Sequence, residues 1–190
     1  RLAAVYLLDG KPQQALDALK KTERGAGDPK TTEERGLLRA RAQSQLKQPD
    51  EAIATLNAFN SPDTKRLKAD VLWRAQKWAE AAAAIEGMLP TADGKPLNEA
   101  DAQLVMNAAV AWKLAGNSIK LAEVKTKYAS GMAATKLATA FGVVTRDGGM
   151  SSLADRETIL KISSEVDMFK GFLDSYKSTM NGANGAESKQ

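Results

Sequence analysis

No stretch of this chain alternates apolar and polar residues with β-branched enrichment, so the period of two that a half-buried strand needs is missing. Ala, Leu, Lys, Gln and Glu dominate instead, all strong helix formers. Breaks fall at intervals. Asp9-Gly10-Lys11-Pro12 ends one helix and opens the next, and Lys47-Gln48-Pro49-Asp50 does the same. Asn60-Ser61-Pro62-Asp63 reads as an N-cap followed by proline, Pro90 to Pro96 as a loop, and Gly116-Asn117 and Asp147-Gly148-Gly149 as two further stops. These signals predict paired antiparallel helices over 1–9 and 12–22, 32–46 and 49–58, 62–75 and 78–88, and 98–115 and 117–129. A further helix is predicted over 132–145, and a long one from 151.

The last of these is a different kind of element. Ile159, Ile162, Val166, Phe169, Leu173, Tyr176 and Met180 alternate in steps of three and four, a heptad seam. Leu160 and Phe172 widen the seam, and Lys161, Glu165, Lys170 and Lys177 lie away from it. Two packings fit: a cap on the last helix pair, or self-association through residues 159–180. Gly171 and the widened stripe favour the cap. Residues 181–190 have little to bury and read as a flexible tail.

The pairs resemble one another. Each hairpin runs from a helix end through a short turn to a small or apolar anchor in the next helix: Ala15, Ala52, Ala81 and Leu121. The anchors are 37, 29 and 40 residues apart. Their mean of about 35 is close to the 34 of a tetratricopeptide repeat. On these residues the segment 1–130 resembles four degenerate tetratricopeptide (TPR) repeats. Ala3, Tyr6, Gly10, Ala15 and Leu19 match the first repeat, and Ala40, Ala52, Leu56 and Phe59 the second. Ala69, Trp78, Ala81 and Ile85 match the third, and Ala109, Trp112, Gly116 and Tyr128 the fourth. Gln43 replaces an aromatic, and Lys47 and Gln76 replace glycine. The resemblance implies an all-α, TPR-like helical-hairpin solenoid with a long C-terminal capping helix. In style it is similar to the C-terminal part of a larger bacterial TPR protein, and a start at Arg1-Leu2 agrees with a piece of something longer. A cell-envelope or periplasmic setting is favoured, with a cytoplasmic one as the alternative.

Composition narrows the chemistry. With no Cys and no His, the chain can build no disulfide, Cys₄ zinc site, cysteine nucleophile or Ser-His-Asp triad. Catalysis would rest on carboxylates, Lys, Tyr or Ser, and no cofactor or metal motif is visible, so an enzyme is not expected. Asp28, Asp63 and Asp101 lie near helix starts, where they favour the dipole and can cap. The net charge of +4 is spread among both signs, so no nucleic-acid partner is expected. No apolar run reaches the length of a membrane span, so no direct membrane insertion is expected.

One residue falls outside the packing pattern. Trp73 lies a step off the stripe of Leu67, Ala69 and Val71. On a TPR-like frame it projects toward the concave groove beside Arg66, Asp70 and Arg74, with Arg41, Gln45 and Lys113 on neighbouring first helices. An aromatic among arginines suits an acidic or aromatic-bearing peptide. The alternative is that Trp73 packs beneath the C-terminal region or an adjacent domain. The two-carboxylate clamp of chaperone-binding TPR domains is absent, since Leu37, Arg41 and Gln45 stand where its Lys/Asn pair belongs. The expected role is a non-catalytic interaction module with a protein or peptide in its groove. The rival is a structural scaffold segment of a larger protein with no independent ligand.

Overall fold

The computed structural model describes residues 2–23 and 28–146, and these residues are all-α. In chain order the helices are α1 (Leu2–Leu8), α2 (Pro12–Lys21), α3 (Pro29–Gln45), α4 (Pro49–Leu56), α5 (Pro62–Arg74), α6 (Trp78–Glu86), α7 (Glu99–Leu114), α8 (Ser118–Met132) and α9 (Ala138–Val144). The helix expected from residue 151, its seam over 159–180 and the tail over 181–190 lie outside the described residues.

The first eight helices form four hairpins joined by the same turn. Two positions beyond the first helix stands a residue of positive φ: Gly10 at 67°, Lys47 at 60°, Gln76 at 58° and Gly116 at 70°. The following N–H donates to the carbonyl five residues back: Lys11 to Tyr6 at 2.8 Å, Gln48 to Gln43 and Lys77 to Leu72 at 2.9 Å, and Asn117 to Trp112 at 3.1 Å. The N–H of the positive-φ residue itself donates to the carbonyl three back, again in all four hairpins. This pair of bonds satisfies carbonyls that a helix end otherwise leaves open, and the second helix starts two residues later. Lys47 and Gln76 therefore hold the glycine conformation without glycine. The hairpin turns are constant in length. The unequal spacing of the anchors comes from helix length, with α3 at 17 residues against α5 at 13, and from the long connection between α6 and α7.

Counting from the positive-φ residue puts the four hairpins in register. Seven positions before it stand Ala3, Ala40, Ala69 and Ala109; five after it stand Ala15, Ala52, Ala81 and Leu121. None is more than 6% exposed. Seven of the eight are alanine, the side chain that lets helix backbones approach most closely.

The core is divided along the chain. One cluster joins α1, α2 and α3 through Ala4, Leu7, Leu19, Leu38 and Ala42. The next joins α3, α4 and α5 through Leu37, Leu56, Leu67 and Val71. Ala69, Ile85 and Ala108 link α5, α6 and α7. The largest joins α7 to α8 and α9, with Val105, Val110, Val124, Tyr128, Phe141 and Val144. Helices α3, α5 and α7 each serve two clusters: α3 offers Leu38 and Ala42 to one, Leu37 and Ala40 to the other.

Polar contacts set how the pairs meet. Arg35 donates to the Leu19 carbonyl and to Thr22 Oγ1, closing the end of α2 onto α3. Trp112 Nε1 donates to Glu86 Oε1 at 2.9 Å, tying α6 to α7. The long connection after α6 is fastened to α8. There the Tyr128 hydroxyl donates to the Pro90 carbonyl at 2.8 Å, and Leu97 N–H to the Gly131 carbonyl at 3.0 Å. A Cβ on Gly131 would stand 3.0 Å from the Lys95 carbonyl oxygen, so this approach needs glycine. Gly36 likewise makes room for the Phe59 ring, whose Cζ would lie 2.7 Å from an added Cβ.

Three boundaries differ from the sequence expectation. Helix α3 starts at Pro29, not 32, because Asp28 caps it, accepting from Lys30 N–H at 3.0 Å and Thr31 N–H at 3.1 Å. Asp63 and Asp101 sit in first turns, while Ser61 and Asn98 do the capping. Helix α8 continues to Met132, and α9 starts only at Ala138. Between them the Thr135 hydroxyl donates to the Met132 carbonyl at 2.7 Å, a local bond that competes with helix.

Candidate partner-binding face

The hairpin register places the candidate groove residues. Six positions before the turn residue stand Ala4, Arg41, Asp70 and Val110; two before it, Leu8, Gln45, Arg74 and Leu114. Trp73 and Lys113 share the position three before, and Arg66 stands ten before. At 3.6 residues per turn, positions ten, six, three and two before the turn fall on one stripe of a helix about 100° wide. All seven residues therefore belong to the same stripe of α3, α5 and α7.

Their surroundings differ. Arg41 and Asp70 are buried, at 9% and 6% exposure, while Gln45, Arg66 and Arg74 are exposed and Trp73 and Lys113 half-buried. Asp70 Oδ2 accepts from Arg74 Nε at 2.8 Å, and Arg66 lies 3.5 Å from Asp63. Lys113 Nζ donates to the Arg146 carbonyl at 3.0 Å. Arg41 is engaged in polar or electrostatic contact as well. The arginines expected to receive an acidic peptide are thus not idle: α5 supplies carboxylates to two of them at i−3 and i−4.

Trp73 works partly as a wedge. Its ring meets Trp78 edge to face, with centroids 5.3 Å apart and planes at 89°. It also packs against the cluster of Ala69, Ile85 and Ala108. The partners of the tryptophan are α6 and α7, which its place one step off the stripe did not disclose.

Asn107 is a residue that the sequence pattern did not single out. It stands nine positions before Gly116, where the second and third hairpins carry the buried leucines Leu38 and Leu67. It is 1% exposed, its Oδ1 accepts from Gln103 Nε2 at 3.3 Å, and its Nδ2 has no hydrogen-bond partner. An unsatisfied buried amide costs about 1–3 kcal/mol. A lone Asn in the apolar run from Val105 to Trp112 was the available signal.

Among the described residues, no group of three carboxylates is placed to hold a metal ion, and no helix is long and apolar enough to cross a membrane. The fold defines a class, all-α helical hairpins packed in series. No family model, curated protein or solved structure matches the chain.

Proposed function

We propose that this chain is a TPR-like helical-hairpin solenoid acting as a non-catalytic interaction module, with a protein or peptide partner bound along the stripe of α3, α5 and α7. The observation that carries this reading is the pair of buried polar residues Arg41 and Asp70 at one position of the stripe. The first and fourth hairpins put Ala4 and Val110 where Arg41 and Asp70 stand. Two of the four hairpins pack with an apolar residue at this position, so the charged ones give up stability that packing alone would keep. Recognition of a partner's carbonyls and charged groups is the use that such a pair supports.

A photo-crosslinking side chain at Gln45, on the stripe, compared with one at Lys20, on the second helix α2, tests this in extract of the source cell. Capture of a discrete partner from Gln45, absent from Lys20 and lost on Arg74→Glu, is the expected result. Equal capture from both positions, or none from either, removes the reading. Trp73→Ala is a poorer probe, because it also takes away the contact with Trp78.

The scaffold reading has its own support. Arg66, Arg74 and Lys113 already have partners within the chain, so none of the three needs an outside ligand to satisfy its charge.

A further inference from the structure

Five large apolar side chains are exposed among the described residues, and three of them, Leu2, Val5 and Leu8, lie on α1. Leu8 falls on the groove stripe, while Val5 and Leu2 stand about 60° and 120° round the helix from it. Counted from the turn residue, Val5 is five positions before and Leu2 eight before. In the other three hairpins the position five before the turn holds Ala42, Val71 and Ala111, all fully buried, whereas Val5 is 40% exposed.

The structure shows what fills this place elsewhere. Leu19, Leu56 and Ile85 each stand nine positions after the turn of their own hairpin, on its second helix. Leu19 shares a cluster with Ala42 of the next hairpin, and Leu56 shares one with Val71. Ile85 shares one with Ala108, which stands eight before the next turn, as Leu2 does. One joint is thus used in series: an aliphatic side chain nine after a turn meets a first helix five or eight before the next.

The two ends of the series differ. Nine after Gly116 stands Lys125, half-buried, and the helix that follows, α9, packs with α7 and α8 through Phe141 and Val144. A terminal hairpin of a solenoid needs a polar outer face to stay soluble. The stacking position of α8 carries a lysine and meets that need. The stacking face of α1 carries Leu2 and Val5 and does not.

We infer that the Leu2–Val5 face of α1 docks a further helical hairpin of the same kind, in series ahead of α1. Its second helix places a large aliphatic side chain nine positions after its turn, against Val5. This surface is separate from the groove stripe, and the inference does not depend on any partner bound there.

The test supplies such a hairpin. Residues 29–66 hold α3, α4 and the start of α5, and Arg66 stands ten positions before its turn. A second copy of 29–66 joined ahead of Arg1, which is nine before Gly10, keeps the register and brings the added Leu56 to Val5. Hydrogen exchange read by mass spectrometry compares α1 in the parent and in the extended protein, each with and without Val5→Asp. Val5 is exposed in the parent, so the substitution should leave exchange there unchanged. The expected result is α1 exchange slowed about tenfold or more by the added hairpin, and restored to the parent rate by Val5→Asp. No slowing of α1, whether or not the added copy folds, overturns the inference, as does slowing that Val5→Asp leaves in place. A parent that sediments as a dimer and is separated by Val5→Asp overturns it in favour of a second copy of this chain. None of these outcomes touches crosslinking from Gln45, so this inference and the groove reading fail independently.

Discussion

Lys47 and Gln76 occupy the left-handed region, where a Cβ costs roughly 1 kcal/mol relative to glycine. Both side chains are exposed. Lys47→Gly and Gln76→Gly should therefore each raise the unfolding free energy by about 0.5–1 kcal/mol, part of the gain being offset by the freer unfolded chain. The two lie in different hairpins, so their effects should add. Urea denaturation of the single and double variants measures this, and a loss of stability would mean that the side chains contribute contacts of their own. Gly10 and Gly116 made their turns legible in the sequence. At Lys47 and Gln76 the turn is enforced by two backbone hydrogen bonds, which no side chain advertises.

At the scale of elements, the joints between pairs depend on polar contacts as much as on packing. Glu33 of α3 accepts from the Thr64 hydroxyl at 2.7 Å, and Ser61 caps α5 beside it. Hydrogen bonds from Ser61 and then Thr64 hold the Glu33 carboxyl below its ordinary value of 4.5. A carboxyl with a lowered folded-state pKa stabilises the fold above its unfolded value, and that stabilisation is lost as pH falls through the folded value. Glu33→Gln should thus be less stable than the parent at neutral pH, with the gap closing below the ordinary carboxylate range. Urea midpoints of both proteins at neutral and acid pH test it, and a gap that stays constant would show that the carboxylate's charge is not what matters. The helices themselves were largely readable from proline, caps and composition. Where α3 begins, and where α8 gives way to α9, was settled by Asp28 and Thr135 acting on nearby backbone.

For the molecule as a whole, the decisive feature is a core divided into clusters that each span one hairpin and the helix after it. Stability in such an arrangement is a sum of neighbouring terms rather than one global transition. Leu56 is fully buried in the cluster of α3, α4 and α5. Leu56→Ala should cost about 2–5 kcal/mol there, and hydrogen exchange should speed up in α3 to α5 while α7 and α8 keep most of their protection. A uniform loss of protection from α1 to α9 would show a single cooperative unit instead.

The sequence alone determined the all-α character of the described residues, the pairing of helices and the small anchors, because helix propensity, proline and alanine spacing act locally and leave a periodic trace. It also placed Arg41, Gln45, Arg66, Asp70, Trp73, Arg74 and Lys113 as candidates, through spacing within each first helix. Only the tertiary structure showed that Arg66 and Arg74 meet Asp63 and Asp70, and that Trp73 leans on Trp78. It alone revealed that Asn107 is buried with an unanswered donor. Those facts depend on which rotamers face one another across packed helices, and periodicity along one helix carries no information about what lies opposite it.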